Sequence, residues 1–189
     1  FREVHAITTF NAKNLGDFDA FVEMFTDSPI VWQVQMAHKG GERFPDDLLM
    51  NREQYAWFVD KATNALYDLH GRLKIMVMDD FGYFPMTPKL RFICQRWSGC
   101  AAGRHVIGVR ANGDVLPCLS LGHNFIEDNL RRRPLVEIWR DPNSFKQFRH
   151  KEENLTGKCA KCPFGRHCKA GCSAMAVSQT GKLTETSFC

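Results

Sequence analysis

The chain has 189 residues, 44% hydrophobic and 24% charged, ordinary values for a globular chain of one domain or two small ones. Its 25 lysines and arginines against 21 aspartates and glutamates leave +4, too mild and too evenly spread to indicate a nucleic-acid partner. No stretch approaches the roughly 20 apolar residues that span a membrane, and a chain that opens at Phe1, with neither Met nor a signal peptide, is expected to be a piece of a longer protein.

In chain order, Val4 to Phe10 is a β-prone run. Asn14 is placed to cap a helix in which Phe18, Phe21, Val22 and Phe25 recur at i, i+3, i+4 and i+7, with Ser28-Pro29 as its stop. Ile30 to Met36 alternates Trp32, Val34 and Met36 with Gln33 and Gln35, the period of a half-buried strand. A polar loop over 38–48 carries Gly40 and Gly41. A longer helix is expected from Arg52 to His70, its apolar stripe Tyr55, Phe58, Val59, Ala62, Ala65, Leu66 and Leu69. Lys74 to Met78 reads as a third strand. Strand, helix, strand, helix, strand implies an α/β unit with parallel pairing and helices outside, with too few strands to close a barrel.

Gly82, Pro85 and Pro88 mark a connection, and the texture changes from Cys94 onward. His105 to Arg110, Asn112-Gly113 and Val115 to Leu119 form a β-hairpin signal. Leu135 to Trp139 is a short helix behind Pro134, and Arg131-Arg132-Arg133 reads as a solvated surface run. After about Thr156 there is little apolar periodicity, so this segment needs a source of stability other than a hydrophobic core.

That source is suggested by the cysteines. All eight lie in the second half, at 94, 100, 118, 159, 162, 168, 172 and 189. Three chemistries accommodate them. Disulfides belong to oxidising compartments and mostly to short secreted chains, which a cysteine-free α/β first half does not resemble. Two zinc ions would each take four thiolates, and Cys159-x2-Cys162 is a common zinc spacing, with His123, His150 and His167 nearby but not required. Iron–sulfur cubes also take four thiolates each, from dispersed loops. Gly99, Ala101, Ala102, Gly103, Ala170, Gly171 and Ala174 crowd the cysteines, and small side chains admit backbone amides to sulfur. Soft thiolates suit both metals, so donor chemistry alone leaves zinc and iron open.

The linear order carries a resemblance. Cys100, twelve residues, Gly113-x4-Cys118, a gap, Cys159-x2-Cys162-x5-Cys168-x3-Cys172, a gap and Cys189 resembles the SPASM domain that follows many radical S-adenosylmethionine (SAM) enzymes, with Cys94 as the eighth cysteine of members holding two full clusters. The intervening Trp97-Ser98-Gly99-Cys100-Ala101-Ala102-Gly103, Ala111 to Cys118, and Asn129-Leu130 leading to Leu135 to Trp139 are similar as well. Residues 1–93 resemble, more weakly, the later part of a radical SAM partial (β/α) barrel plus a linker, with Trp32 to Gln35 like its sixth strand, and residues 94–189 the loop-rich iron–sulfur domain with a hairpin and short helices.

The resemblance implies one auxiliary 4Fe–4S cluster on Cys94, Cys100, Cys118 and Cys172, and a second on Cys159, Cys162, Cys168 and Cys189. It also implies an enzyme that, when intact, cleaves SAM to a 5′-deoxyadenosyl radical, abstracts hydrogen from a peptide or protein side chain, and uses the auxiliary clusters to relay or accept electrons. A flavodoxin- or ferredoxin-like donor and a reducing cytoplasm follow as expectations. One departure matters: the radical-generating Cys-x3-Cys-x2-Cys motif is absent, since the first 93 residues contain no cysteine. The chain is therefore expected to be a C-terminal portion, inactive alone, with SAM and the third cluster held elsewhere. Leu119 stands where sulfatase-maturating members carry an acceptor Asp, and the intact cysteine run turns away from the pyrroloquinoline quinone enzymes, which use an Asp ligand; what remains is the group maturing ribosomally made peptides. Asp79-Asp80 follows a strand end, where a barrel would place active-site groups, but a solvated turn is the favoured reading; Gln33 and Gln35 are served equally by outward strand positions, and a turn role suffices for Asp114. A non-catalytic, metal-stapled peptide-binding module is the alternative.

Overall fold

The computed structural model describes residues 3–40, 44–77, 81 and 99–188. They divide into two compact units, the first holding residues 3–38, 45–77, 81 and 188. Its strands β1 (His5–Phe10), β2 (Val31–Met36) and β3 (Ile75–Val77) form a parallel sheet in that order, with Ala6 opposite Trp32 and Trp32 opposite Ile75. The intervening helices α1 (Phe18–Phe25) and α2 (Arg52–Asp68) supply the long return that parallel pairing requires. Trp32, Val34 and Met36 are buried on one face of β2, as their spacing demands. Gln35 lies on the opposite face and donates to Thr9 Oγ1 at 2.8 Å.

Two helix ends differ from expectation. Asn14 does not cap α1; its Oδ1 accepts from the Asn11 amide at 2.7 Å and its amide donates to Thr9 O, closing the turn that leads into a short 3-10 helix, Leu15–Asp17. α1 stops at Phe25, before Ser28-Pro29, because Asp27 takes a left-handed φ of 61° and is held there by a two-pronged ion pair with Arg72. The start of α2 carries a signal that the apolar stripe hides. Asn51 accepts from the Gln54 amide while the Gln54 side chain accepts from the Asn51 amide, a reciprocal cap.

The aromatic rings of this unit pack together. Phe58, fully buried, lies 4.9 Å from Phe10, 5.7 Å from Phe18 and 5.3 Å from Phe81, ring centre to ring centre.

The second unit holds residues 39–40, 44 and 99–187. Strands β4 (Gly108–Val109), β5 (Asp114–Leu116) and β6 (Asp128–Asn129) form an antiparallel sheet in that order. The turn between β4 and β5 needs glycine at 113, where φ is +92° and a Cβ would meet Asn129 Oδ1 at 2.9 Å. Asp114 has a turn role, accepting from the side chains of Asn112 and Asn129. Beyond the sheet come α3 (Leu135–Arg140), α4 (Lys146–Arg149), α5 (Gly157–Lys161), α6 (Gly165–Cys168) and α7 (Ser173–Thr180).

Two small cores hold this unit. One is Val115, Ile138 and Phe145, with Ile107 and Trp139 against it; the other is Ala102, Leu121, Phe148, Ala174 and Leu183. Arg149 joins segments around them, its guanidinium 5.0 Å from the Trp139 ring while donating to the carbonyls of Gly103, Asp141 and Trp139. The arginine run is not uniformly solvated: Arg133 bridges Asp128 at 2.9 Å and Asp141 at 3.0 Å. No helix among the described residues is long and apolar enough to cross a membrane.

Phe58→Ala is expected to destabilise the chain by about 3–5 kcal/mol, the usual range for deleting a buried ring. Urea unfolding reads this as a lower midpoint with an unchanged slope; a loss of under ~1 kcal/mol would show that the ring is not part of the core.

Candidate metal centre

Six of the eight cysteines, at 100, 118, 159, 162, 168 and 172, fall in the described residues, and none of the six forms a disulfide. Cys94 and Cys189 lie outside the described residues, as do Asp79 and Asp80.

The C-terminal cysteine run forms a short coil of backbone. Cys159 lies in α5 and is buried; the Cys162 amide donates to the Cys159 carbonyl at 3.3 Å, the Gly165 amide to the Cys162 carbonyl at 2.9 Å, and the Cys168 amide to Phe164 O at 2.8 Å. Gly165 has no room for a side chain, since a Cβ there would sit 2.6 Å from the Cys159 carbonyl oxygen. The spacing x2 and x5 thus places Cys159 and Cys168 on two very short helices in mutual contact, with Cys162 capping the end of the first.

The chain then turns sharply. Lys169, Ala170 and Gly171 have φ of +54°, +55° and +63°, three left-handed residues in succession. For a residue with a Cβ this costs roughly 1–2 kcal/mol. Lys169 is tied by its ammonium to Glu152 at 2.8 Å, and Ala170 is buried.

After that turn Cys172 hydrogen-bonds Cys100, and the Ser173 amide donates to Cys100 Sγ at 3.4 Å. These contacts pull the Cys100 thiol down to about 5; the Cys172 hydrogen bond is the largest cause, burial opposes it, and the hydrogen bonds from Ser173 add to it. Cys100, Cys118 and Cys172 pack against the same small core, built on Ala102, Leu121, Phe148, Ala174 and Leu183.

One residue in the same region carries no sequence signal. Lys151, in the Lys151–Asn154 turn, is 2% exposed and donates to Gly171 O at 3.1 Å and Ser173 Oγ at 3.2 Å. Burial pushes its pKa down, opposed by the fields of Cys100, Cys172, Cys168 and Cys159. Of the nearby histidines, His123 sits 2.8 Å from Arg110 and His150 3.1 Å from Glu153.

Among the described residues no three His, Cys, Asp or Glu side chains are gathered closely enough to hold a single metal ion. The donor chemistry nevertheless suits an iron–sulfur core: soft thiols, one of them held as thiolate at neutral pH, a backbone amide on its sulfur, and a buried ammonium whose field they share.

Comparison with known proteins gives the same class. Residues 100–163 match SPASM, an iron-sulfur cluster-binding domain. The chain therefore carries a SPASM match over residues 100–163 and is similar over longer stretches to AdoMet-dependent and peptide-cyclising enzymes. An AdoMet-dependent heme synthase of Nitratidesulfovibrio vulgaris is 34% identical over 113 residues, 59% of this chain and 27% of that relative. A PqqA peptide cyclase of Xanthomonas axonopodis pv. citri is 30% identical over 164 residues, 79% of this chain and 40% of that relative. The matched stretches therefore span well under half the length of either. The peptide cyclase is similar despite the intact cysteine run, which points away from the pyrroloquinoline quinone enzymes, and the heme synthase is a relative that the cysteine spacing does not single out. The structure of Streptococcus suis SuiB bound to precursor peptide SuiA superposes with a TM-score of 0.65 at 15% identity, covering 99% of this chain and 44% of SuiB, a likeness of fold.

In the metal-free chain, alkylation of Cys100 followed against pH by mass spectrometry is expected to rise through a midpoint near 5, because the depressed group keeps its thiolate above that value and loses it below. Cys172→Ala removes the leading cause and is expected to move the midpoint up toward the ordinary thiol range; an unmoved midpoint would show that Cys172 does not set it.

Proposed function

We propose that this chain holds two 4Fe–4S clusters in a radical SAM/SPASM oxidoreductase that modifies a peptide or protein, with Cys94, Cys100, Cys118 and Cys172 on one cluster and Cys159, Cys162, Cys168 and Cys189 on the other. The observation that carries this reading is the contact between Cys172 and Cys100, with Cys118 against the same core. Cys172 is only four positions after Cys168 in sequence, yet its side chain is engaged with a cysteine 72 positions upstream.

Bound clusters would supply one-electron uptake and release. The chain's own residues do the rest. Eight thiolates satisfy eight irons, leaving none for direct ligation of substrate, so the arrangement suits electron transfer. The Ser173 amide on Cys100 sulfur withdraws charge from the ligand and tunes the site. Residues 1–93 form the barrel-derived domain, with the parallel sheet of β1 to β3 as its later strands, and residues 94–189 the cluster domain. SAM and its own cluster sit on a Cys-x3-Cys-x2-Cys motif, which residues 1–189 do not contain, so the chain alone does not generate the radical. A small flavodoxin- or ferredoxin-type protein supplies electrons, in a reducing cytoplasm that spares exposed clusters. The peptide cyclase relative and the peptide-bound SuiB support a peptide substrate. A second reading, a porphyrin-type substrate, is favoured by the higher identity to the heme synthase over its shorter match.

Anaerobic purification with metal and sulfide analysis is expected to find about eight iron and eight sulfide per chain, the content of two cubes; two zinc without sulfide would replace the reading with a zinc-stapled module. The ligand sets are tested by pairing variants. Cys100→Ala with Cys118→Ala is expected to halve the iron; adding Cys172→Ala should remove no more, whereas adding Cys162→Ala should remove the remainder. Titration with the SuiA-type peptide class and with a porphyrin, each followed by its own absorbance or fluorescence, separates the two substrate readings.

A further inference from the structure

We infer that Lys151 is a buried counter-cation shared by the two cysteine quartets, a positioning residue that raises the reduction potential of both clusters. The inference rests on the two-cluster reading and goes beyond it, since no cysteine spacing points to a lysine.

The position is unusual for a lysine. An ammonium 2% exposed has given up its water shell, a cost that buried charges recover only from hydrogen bonds and opposite charge. The two acceptors at 3.1 and 3.2 Å, Gly171 O and Ser173 Oγ, are neutral. Glu152, the next residue, is turned to Lys169 at 2.8 Å. Burial lowers the Lys151 pKa, and negative charge on Cys100 and Cys172 of one proposed quartet, or on Cys168 and Cys159 of the other, would oppose that lowering.

Geometry accounts for this double reach. Gly171 and Ser173 flank Cys172, so both hydrogen bonds from Lys151 close on the segment that delivers Cys172 to Cys100. The turn Lys151–Asn154 also packs against α6, which ends at Cys168. One ammonium thus sits beside the crossing point of the two ligand sets.

A 4Fe–4S core with four thiolates is anionic when oxidised and gains one more negative charge when it accepts an electron. A fixed positive charge stabilises the reduced form more than the oxidised form, so its removal lowers the potential. It equally favours assembly of either cluster, because the anionic cluster replaces the solvation that burial removed.

The test compares the reconstituted wild-type chain with K151M, K151Q and K151R by iron and sulfide content and by redox titration with dithionite, each cluster taking one electron, followed by electron paramagnetic resonance. The neutral variants are expected to load iron and to shift the reduced-to-oxidised ratio of both clusters about tenfold toward oxidised at a fixed potential, which is about 59 mV for one electron; K151R is expected to stay near wild type. Loss of iron from K151M and K151Q with full loading of K151R supports the charge role as well. Fully loaded neutral variants with unmoved potentials overturn it. Equal loss of iron from all three also overturns it, because the site then answers to lysine's shape. A wild-type chain that takes up neither iron nor sulfide breaks the cluster reading itself, a result distinct from all of these.

Discussion

The left-handed turn at Lys169, Ala170 and Gly171 is the constraint on which the cysteine arrangement depends. A right-handed continuation of α6 would carry Cys172 along the face already occupied by Cys168. Instead the backbone reverses through three residues, two of which pay a steric penalty for their Cβ atoms. Conformations of this kind persist only where the surroundings over-determine them. Here the surroundings are specific: Lys169 is anchored to Glu152, Ala170 is buried, Gly171 O receives Lys151, and the Ser173 amide just beyond the turn donates to Cys100. The three bonds hold three different residues of the same five-residue stretch, and burial fixes a fourth.

The first unit was legible because its sheet and helices follow simple periods. Alternation in β2 and the phenylalanine spacing in α1 identify the buried faces, and the rings found there pack on one another. What failed was at the ends. Asn14 looks like a helix cap, but its side chain is already committed to Asn11 and Thr9; Asp27 ends α1 through a partner, Arg72, that is 45 positions away. The Asn51 and Gln54 pair, by contrast, is a local signal, three positions apart, that the sequence itself carries.

The second unit was legible in its cysteines and poorly legible elsewhere. α7 buries Ser173, Ala174, Met175 and Ala176, and such small residues leave almost no apolar period to read. Strand β6 is two residues long, and Asp128 within it is partly defined by Arg133, which sequence alone places in a solvated run. Lys151 stands in the charged stretch Lys151-Glu152-Glu153-Asn154, where a surface position is the natural reading; its burial comes from segments 20 and 22 positions further on. The small residues around the cysteines were expected to admit amides to sulfur, and Ser173 fits that idea. Others have a packing cause: a Cβ at Gly103 would strike Phe145 at 2.8 Å, while Ala102 and Ala174 are themselves core.

These features converge on a single energetic argument. Among the described residues, the second unit has two small apolar clusters, one of five buried residues and one of three, with Leu116, Met175 and Ala176 buried as well. Cores of that size rarely stabilise a domain of this length alone, and metal–ligand bonds are the usual supplement. Supplementing a core with anionic clusters raises a second difficulty, because charge buried beside apolar side chains must be compensated. Cys100 held as a thiolate by its neighbours, together with a buried ammonium in the field of four thiols, is an arrangement that is poorly compensated as ordinary hydrophobic packing and well compensated as a cradle for negative charge. The polar groups that look costly in the bare fold are thus the ones placed to compensate a bound anionic group.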